Sequence, residues 1–195
     1  MSGAEHDGPS TRRGLDLATL WRLSPRFDLV IAIGEHLCRA LGGKPGPATV
    51  ACYDSWSARI AIDVIADGPR AADTRLSVLE PTPELLARAE RRQVMLTGAG
   101  AQSLEPATVV VAPRLDGAAG ARVSTLRAGC ADHTTLVWSM SRCWPDRVAA
   151  TRALFKADGF RELATESVGV VFPRLPGWFV ASETRAPIPD QEATT

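Results

Sequence analysis

The stretch that decides the fold is RLSVLEPTPELLARAE, residues 75–90. Its first five residues include the apolar Leu76, Val78 and Leu79 and are typical of a short strand. Thr82 and Pro83 then indicate a helix start, because threonine accepts hydrogen bonds at an N-cap and proline fits the first helical turn. The sequence therefore predicts a strand, then Glu80, then a helix over 83–92.

The same alternation of strand and helix extends along the chain in both directions. Short apolar runs predict strands at 48–53, 94–97, 107–112 and 134–139, and helical spacing predicts helices at 57–66, 117–128 and 145–157. Two further extended runs, 161–172 and 178–183, predict a terminal hairpin. Because alternating strands and helices build a parallel sheet covered on both faces, we expect an α/β fold with three layers and a C-terminal antiparallel hairpin.

The domain boundaries follow from composition. A chain of 195 residues with 45% hydrophobic content is long enough for one domain with a core. Residues 1–14 and 184–195 are rich in proline, glycine and small polar residues, so they are predicted as tails. The domain is predicted over 15–183, and it opens with two helices within 15–43 that are separated at Ser24-Pro25.

Charge and hydropathy restrict the partners and the compartment. Lysine plus arginine and aspartate plus glutamate both number 22, which gives no overall field for a nucleic-acid backbone. The longest strongly apolar stretch, 29–33, is far below the ~20 residues that cross a bilayer. Residues 1–14 lack the apolar centre of a signal peptide. We therefore expect no nucleic-acid partner, no membrane partner and a cytoplasmic location.

Several site types are excluded by missing residues. Cys130, His133 and Cys143 supply three potential ligands, whereas structural zinc takes four, so no metal site is predicted. The chain has no Gly-x-Ser-x-Gly motif, and no histidine follows the predicted hairpin, which excludes an α/β-hydrolase. The glycine fingerprint of a nicotinamide enzyme is absent as well.

The order of elements, together with residues 75–90 and the run LFKADGF at 154–160, resembles the class I S-adenosylmethionine-dependent methyltransferases. The likeness spans about residues 45–183. It implies a Rossmann-like sheet of seven strands that ends in a reversed hairpin, and S-adenosylmethionine as the cofactor. It also implies that Glu80 accepts hydrogen bonds from the ribose hydroxyls, since a carboxylate offers two acceptor oxygens.

The loop after the first predicted strand, residues 52–59, reads CYDSWSAR and contains no glycine. In the family, glycines let the backbone approach the cofactor, and the resemblance puts Asp54 and Trp56 at two of those places. It implies cofactor contacts from Asp54, Ser55 and Ser57. Trp56 either fills the methionine space or turns outward into the sheet–helix interface. The two serines either bind the cofactor or act as N-caps of the following helix.

The other implied site residues follow the third and fourth strands or lie on the N-terminal helices. Gly98 and Gln102 fall where the family contacts the adenine ring, and Arg114 falls near the reacting methyl group. Relatives often cover the site with N-terminal helices, so residues 15–43 are expected to form a lid. The substrate-side residues implied by this arrangement are Trp21, His36, Tyr53 and Arg114.

His36 is the candidate general base on that lid, because imidazole titrates near neutral pH. A single histidine on an amphipathic helix is also a common packing residue, and both roles stay open. No other catalytic residue is assigned.

Two functions follow from these observations. The leading one is methyl transfer to a small-molecule acceptor, if the altered loop still admits the cofactor. Methyl transfer needs alignment more than acid–base chemistry, so the missing catalytic dyad does not exclude it. The second is a catalytically inactive methyltransferase-fold protein that binds a partner, either a second copy of the chain or another protein. The missing glycines favour the second function.

Overall fold

The computed structural model describes residues 25–79, 81–99, 107–112, 115, 130–142, 145–169 and 177–186. The helices are α1 (Pro25–Gly42), α2 (Ser55–Asp67), α3 (Pro83–Arg91) and α4 (Pro145–Ala157), with a 3-10 turn at Ala71–Asp73. The strands are β1 (Ala48–Cys52), β2 (Thr74–Leu79), β3 (Met95–Ala99), β4 (Val109–Ala112), β5 (Thr135–Ser141), β6 (Phe160–Val168) and β7 (Trp178–Arg185).

These strands form one mixed sheet in the order β3-β2-β1-β4-β5-β7-β6. The first five strands along the chain pair in parallel, and β7 runs antiparallel to both β5 and β6. The order therefore reverses between β1 and β4, where open α/β sheets bind their ligands. The prediction of an α/β fold with a terminal antiparallel hairpin is confirmed.

Helices cover both faces of the sheet because neighbouring residues of a strand point to opposite faces. One face, with α1, α2 and α3, forms a cluster that we call the α1-side core; it includes Leu29, Ile33, Leu37, Val50, Ile62, Val78, Leu85 and Val111. The other face, with α4, forms the α4-side core, which includes Ala51, Val110, Trp138, Met140, Phe155, Phe160 and Ala181. Three layers result, as the sequence predicts.

Two of the shifted boundaries concern the C-terminal tail and Gly98. Strand β7 continues two residues into the predicted tail, through residue 185, because Arg185 pairs with Phe160 and its N–H donates to Thr134 O at 2.9 Å. Gly98 lies inside β3, where it pairs with Val78, and not in the loop that the sequence predicts. The extra ladder bonds account for both extensions.

Some predictions concern residues outside the described ranges. The helix over 117–128, the first N-terminal helix, the tail at 1–14 and most of the turn at 173–177 lie outside the described residues. Within the described ranges, no helix combines the length and the apolar character that a membrane span needs.

An aromatic cluster fastens α4 to the sheet. Trp138 on β5 has no exposed surface, and its ring centroid lies 5.5 Å from Phe155 on α4 and 5.2 Å from Phe179 on β7. We expect Trp138→Ala to lower the free energy of unfolding by about 3–5 kcal/mol, because it leaves a cavity under α4. Urea unfolding followed by circular dichroism measures this change.

The matched control is Leu154→Ala on the same helix, where the side chain is 45% exposed. It is expected to change the unfolding free energy by only about 0.5 kcal/mol. Equal losses for the two variants would contradict the packing described here.

Candidate functional site

The candidate site lies where β1 meets α2, at the carboxyl edge of the parallel strands. Cys52 is the last residue of β1 and Ser55 is the first residue of α2, so only Tyr53 and Asp54 connect them. Tyr53 N–H still donates to Val111 O on β4 at 3.4 Å. The chain therefore passes from strand to helix almost without a loop.

Asp54 caps the first turn of α2. Its backbone is extended, with φ −147° and ψ 163°, and its Oδ1 accepts a hydrogen bond from Ser57 N–H at 2.7 Å. Ser57 Oγ donates in return to Asp54 O at 2.9 Å, and Ser57 has no exposed surface. Asp54 is thus the N-cap, and neither predicted serine fills that role. The amide and the hydroxyl of Ser57 are both used inside the turn.

This geometry explains why the junction contains no glycine. Glycine is required where φ is positive or where the backbone must approach another group closely. Within the described ranges, positive φ values fall outside residues 52–58, at Gly46, Gln93, His133, Gly159 and Gly169. A short connection with ordinary φ values needs no glycine, so its absence follows from the tight turn.

Trp56 and Cys52 both face the α1-side core. Trp56 is half-buried and packs against that core. Its side chain therefore lies in the sheet–helix interface and not in the space of the cofactor's methionine part. Cys52 is fully buried, and burial raises the pKa of its thiol, opposed in part by its hydrogen bond with Ser57. Cys52 therefore stays a neutral packing residue and offers no anionic ligand.

Tyr53 packs on the opposite face, against the α4-side core. Its hydroxyl is buried and has no hydrogen-bond partner among the described residues. Burial, together with the neighbouring Cys130, raises the pKa of Tyr53 to about 12. The phenol is directed into packed residues, and the substrate-side role of Tyr53 stays a prediction.

His36 lies on α1 and contacts the terminal hairpin. Its Nδ1 shares a hydrogen bond of 3.0 Å with Ser182 Oγ on β7, and its Nε2 lies 3.0 Å from Glu166 Oε1 on β6. The imidazole has no exposed surface. The imidazole therefore has the contacts of a packing residue, and its role as a substrate-side general base stays a prediction.

The remaining predicted site residues are placed as follows. Ser55 is the half-buried first residue of α2, and Gly98 is exposed on β3 with Pro81 beside its Cα. Trp21, Glu80, Gln102 and Arg114 lie outside the described residues.

The sequence did not single out Ser182 or Glu166, although the alternation of β6 and β7 puts both residues on the face that α1 covers. No cluster of three His, Cys, Asp or Glu side chains suited to a metal ion occurs in the described part of the chain.

Comparison with solved structures gives methyltransferases at low sequence identity. NodS, an N-methyltransferase from Bradyrhizobium japonicum, matches with a TM-score of 0.55 and 13% identity over 79% of this chain and 94% of that chain. The precorrin-6y C5,15-methyltransferase from Geobacter metallireducens matches at 0.52 and 12%, over 80% and 87% of the two chains. TYW2 from P. horikoshii, solved in complex with MeSAdo, matches at 0.56 and 9%, over 77% of this chain and 61% of that chain.

No protein-family model matches the sequence, and no curated protein matches it. The strand order and the solved relatives agree on the fold. The chain has the Rossmann-like fold of the class I S-adenosylmethionine-dependent methyltransferases.

The Asp54 cap is testable by stability. Asp54→Ala removes the acceptor of the Ser57 amide, so we expect the free energy of unfolding to fall by about 1 kcal/mol. Asp54→Asn keeps an acceptor oxygen and is expected to retain most of that stability. Urea unfolding of both variants at neutral pH measures the difference, and an unaffected Asp54→Ala variant would disprove the cap.

The buried His36 predicts a pH dependence. Burial lowers the pKa of His36 from its ordinary value of 6.5, with Glu166 opposing and Arg39 reinforcing the effect. The unfolded chain then binds more protons than the folded chain below pH 6.5, so stability falls as the pH drops through that range. We expect the wild type to lose more stability than His36→Gln between about pH 7.5 and about pH 5.5.

The comparison with His36→Gln isolates the histidine. The pKa of Glu183 is raised by burial, which acts on stability in the opposite sense, but Glu183 is present in both proteins and cancels in the difference. Parallel stability–pH curves for the two proteins would show that His36 is not held neutral by the fold.

Proposed function

We propose that this chain is a methyltransferase-fold protein that does not hold S-adenosylmethionine in the family's usual way and acts as a binding or interaction partner. The observation that carries the proposal is the use of both polar groups of Ser57 by Asp54. A helix N-terminus binds an anionic or polar ligand through free N–H groups. Here the Ser57 N–H is committed to a side chain of the protein itself.

Charge at the junction opposes one part of the cofactor. The methionine part of S-adenosylmethionine carries a carboxylate and an ammonium group, and the Asp54 carboxylate stands at the N-terminus of α2. The two carboxylates compete for the same N–H donors and repel each other, whereas Asp54 would attract the ammonium group. The committed Ser57 N–H, rather than the charge of Asp54, is therefore what opposes the cofactor at this junction.

Methyl transfer to a small-molecule acceptor is the second candidate. Its support is the β2–α3 connection, where β2 ends at Leu79 and Thr82 Oγ1 accepts from Leu85 N–H at 3.3 Å at the start of α3. Glu80 thus follows β2 directly, where the family resemblance puts the ribose-binding acid. Solved relatives are named for rRNA, ribosomal-protein and precorrin substrates, and the balanced charge of this chain favours a small molecule among these classes.

A partner protein is consistent with the exposed apolar side chains. Leu86 on α3 and Met95 on β3 are 46% and 56% exposed, and β3 is the edge strand of the sheet. A solved archaeal relative with a TM-score of 0.50 and 14% identity is a complex between a putative methyltransferase and the Trm112 activator. The fold is therefore compatible with a protein that functions in an assembly, either with another protein or with a second copy of this chain.

Calorimetric titration separates the two candidates. Full-length protein is titrated with S-adenosylmethionine and with its demethylated product, and we expect no saturable heat in the micromolar range. Tight micromolar binding of either compound would contradict the proposal and favour the transferase. Binding of the product alone would also contradict it, since the junction would then accept the shared nucleoside.

Trp56→Gly is the companion variant. Because the indole packs against the α1-side core, its removal is expected to lower stability without creating affinity for the cofactor. A gain in affinity would show that the indole, and not the Asp54 cap, had closed the site. Circular dichroism before titration ensures that the variant is folded.

A further inference from the structure

A groove separate from the β1–α2 junction lies between the end of α4 and the start of the terminal hairpin. Its volume is about 1140 Å³. Thr184 on β7 pairs with Thr135 at the beginning of β5, so the groove lies at the amino-terminal edge of the parallel strands. The β1–α2 junction lies at the opposite, carboxyl edge. The groove is therefore a separate feature from the β1–α2 junction.

Glu183 on β7 lines the groove and is only 4% exposed. Its Oε2 has no hydrogen-bond partner among the described residues. Burial raises the pKa of Glu183, while a side-chain hydrogen bond with Trp138 and the charge of Arg152 act in the opposite direction. A buried carboxyl group without a full set of partners is costly, and a ligand that donates to it would offset that cost.

Arg185 follows two residues later and lines the same groove. Its Nη1 donates to Cys130 O, but its Nε is buried and has no partner in the described ranges. Residues two apart on a strand share a face and are separated by roughly 6–7 Å. The groove therefore has one acid and one base side by side in its lining, and each has a buried polar atom without a partner among the described residues.

The rest of the lining carries charges of both signs and apolar surface. The cations are Arg152, Lys156, Arg161 and Arg185, and the acids are Asp158, Glu162 and Glu183. Arg152 pairs with Glu162 and lies over the ring of Phe179 at 5.6 Å. Beyond that pair the lining keeps Glu183 together with Lys156, Arg161 and Arg185, so a ligand with both charges matches it best.

We propose that the groove binds a small zwitterion of the α-amino-acid class. Its ammonium group donates to Glu183, its carboxylate accepts from Arg185, and an apolar side chain lies along Ala153 and Phe160. Lys156 and Arg161 at the rim add attraction for the carboxylate. The site is independent of the proposed function, because none of its residues belongs to the β1–α2 junction.

Three matched probes test the need for both charges. L-Leucine carries both, N-acetyl-L-leucine lacks the ammonium, and L-leucinamide lacks the carboxylate. Titration of the ¹⁵N-labelled full chain should give saturable shifts of groove amides with leucine and about tenfold or weaker binding of each analogue, as expected for the loss of a charged hydrogen bond.

Variants then locate the site. Glu183→Gln is expected to weaken leucine about tenfold or more, while Glu35→Gln on the exposed face of α1 leaves it unchanged. If Glu183→Gln fails to fold, Lys156→Gln at the exposed rim still tests the site, and a loss of about two- to fivefold is expected. Equal affinity for leucine and N-acetyl-leucine, or no saturation up to about 50 mM leucine, would overturn the proposal.

Discussion

The hydrogen bond from Ser57 N–H to Asp54 Oδ1 is the interaction on which the geometry of the candidate site depends. It lies at the β1–α2 junction, at the switch point of the sheet, where a methyltransferase fold would offer helix N–H groups to a ligand. Here the connection is only Tyr53 and Asp54, and the cap fills the first turn. A glycine-free junction, a buried Ser57 and an inward-facing Cys52 all follow from that tight turn.

The rest of the fold supports this geometry without depending on the cofactor. Val50 and Val111 on the central strands are fully buried under α1 and α2, and Trp138 secures the other face through α4. His36 joins α1 to the hairpin through Ser182 and Glu166. The fold therefore has sources of stability outside the β1–α2 junction. This is compatible with a protein that keeps the fold without the family's usual cofactor contacts.

Much of the fold could be predicted from the sequence, because apolar runs and helix signals are local. The Thr82-Pro83 start of α3 is an example, since N-cap and first-turn preferences act within four residues. The site was less predictable. The environments of His36 and Tyr53 depend on residues more than 70 positions away, as the partnership of His36 with Ser182 shows. The Asp54 cap has a local signal, the Asp-x-x-Ser spacing, whereas the family resemblance places Asp54 among the cofactor contacts.

The most direct test of the central claim is the ¹⁵N–¹H resonance of the Ser57 amide during titration of the full chain with S-adenosylmethionine. We expect this resonance to stay in place up to about millimolar cofactor, because its proton is already held by Asp54. A saturating shift of the Ser57 amide at micromolar cofactor would show that the helix terminus releases its cap for the ligand, and it would contradict the proposed function.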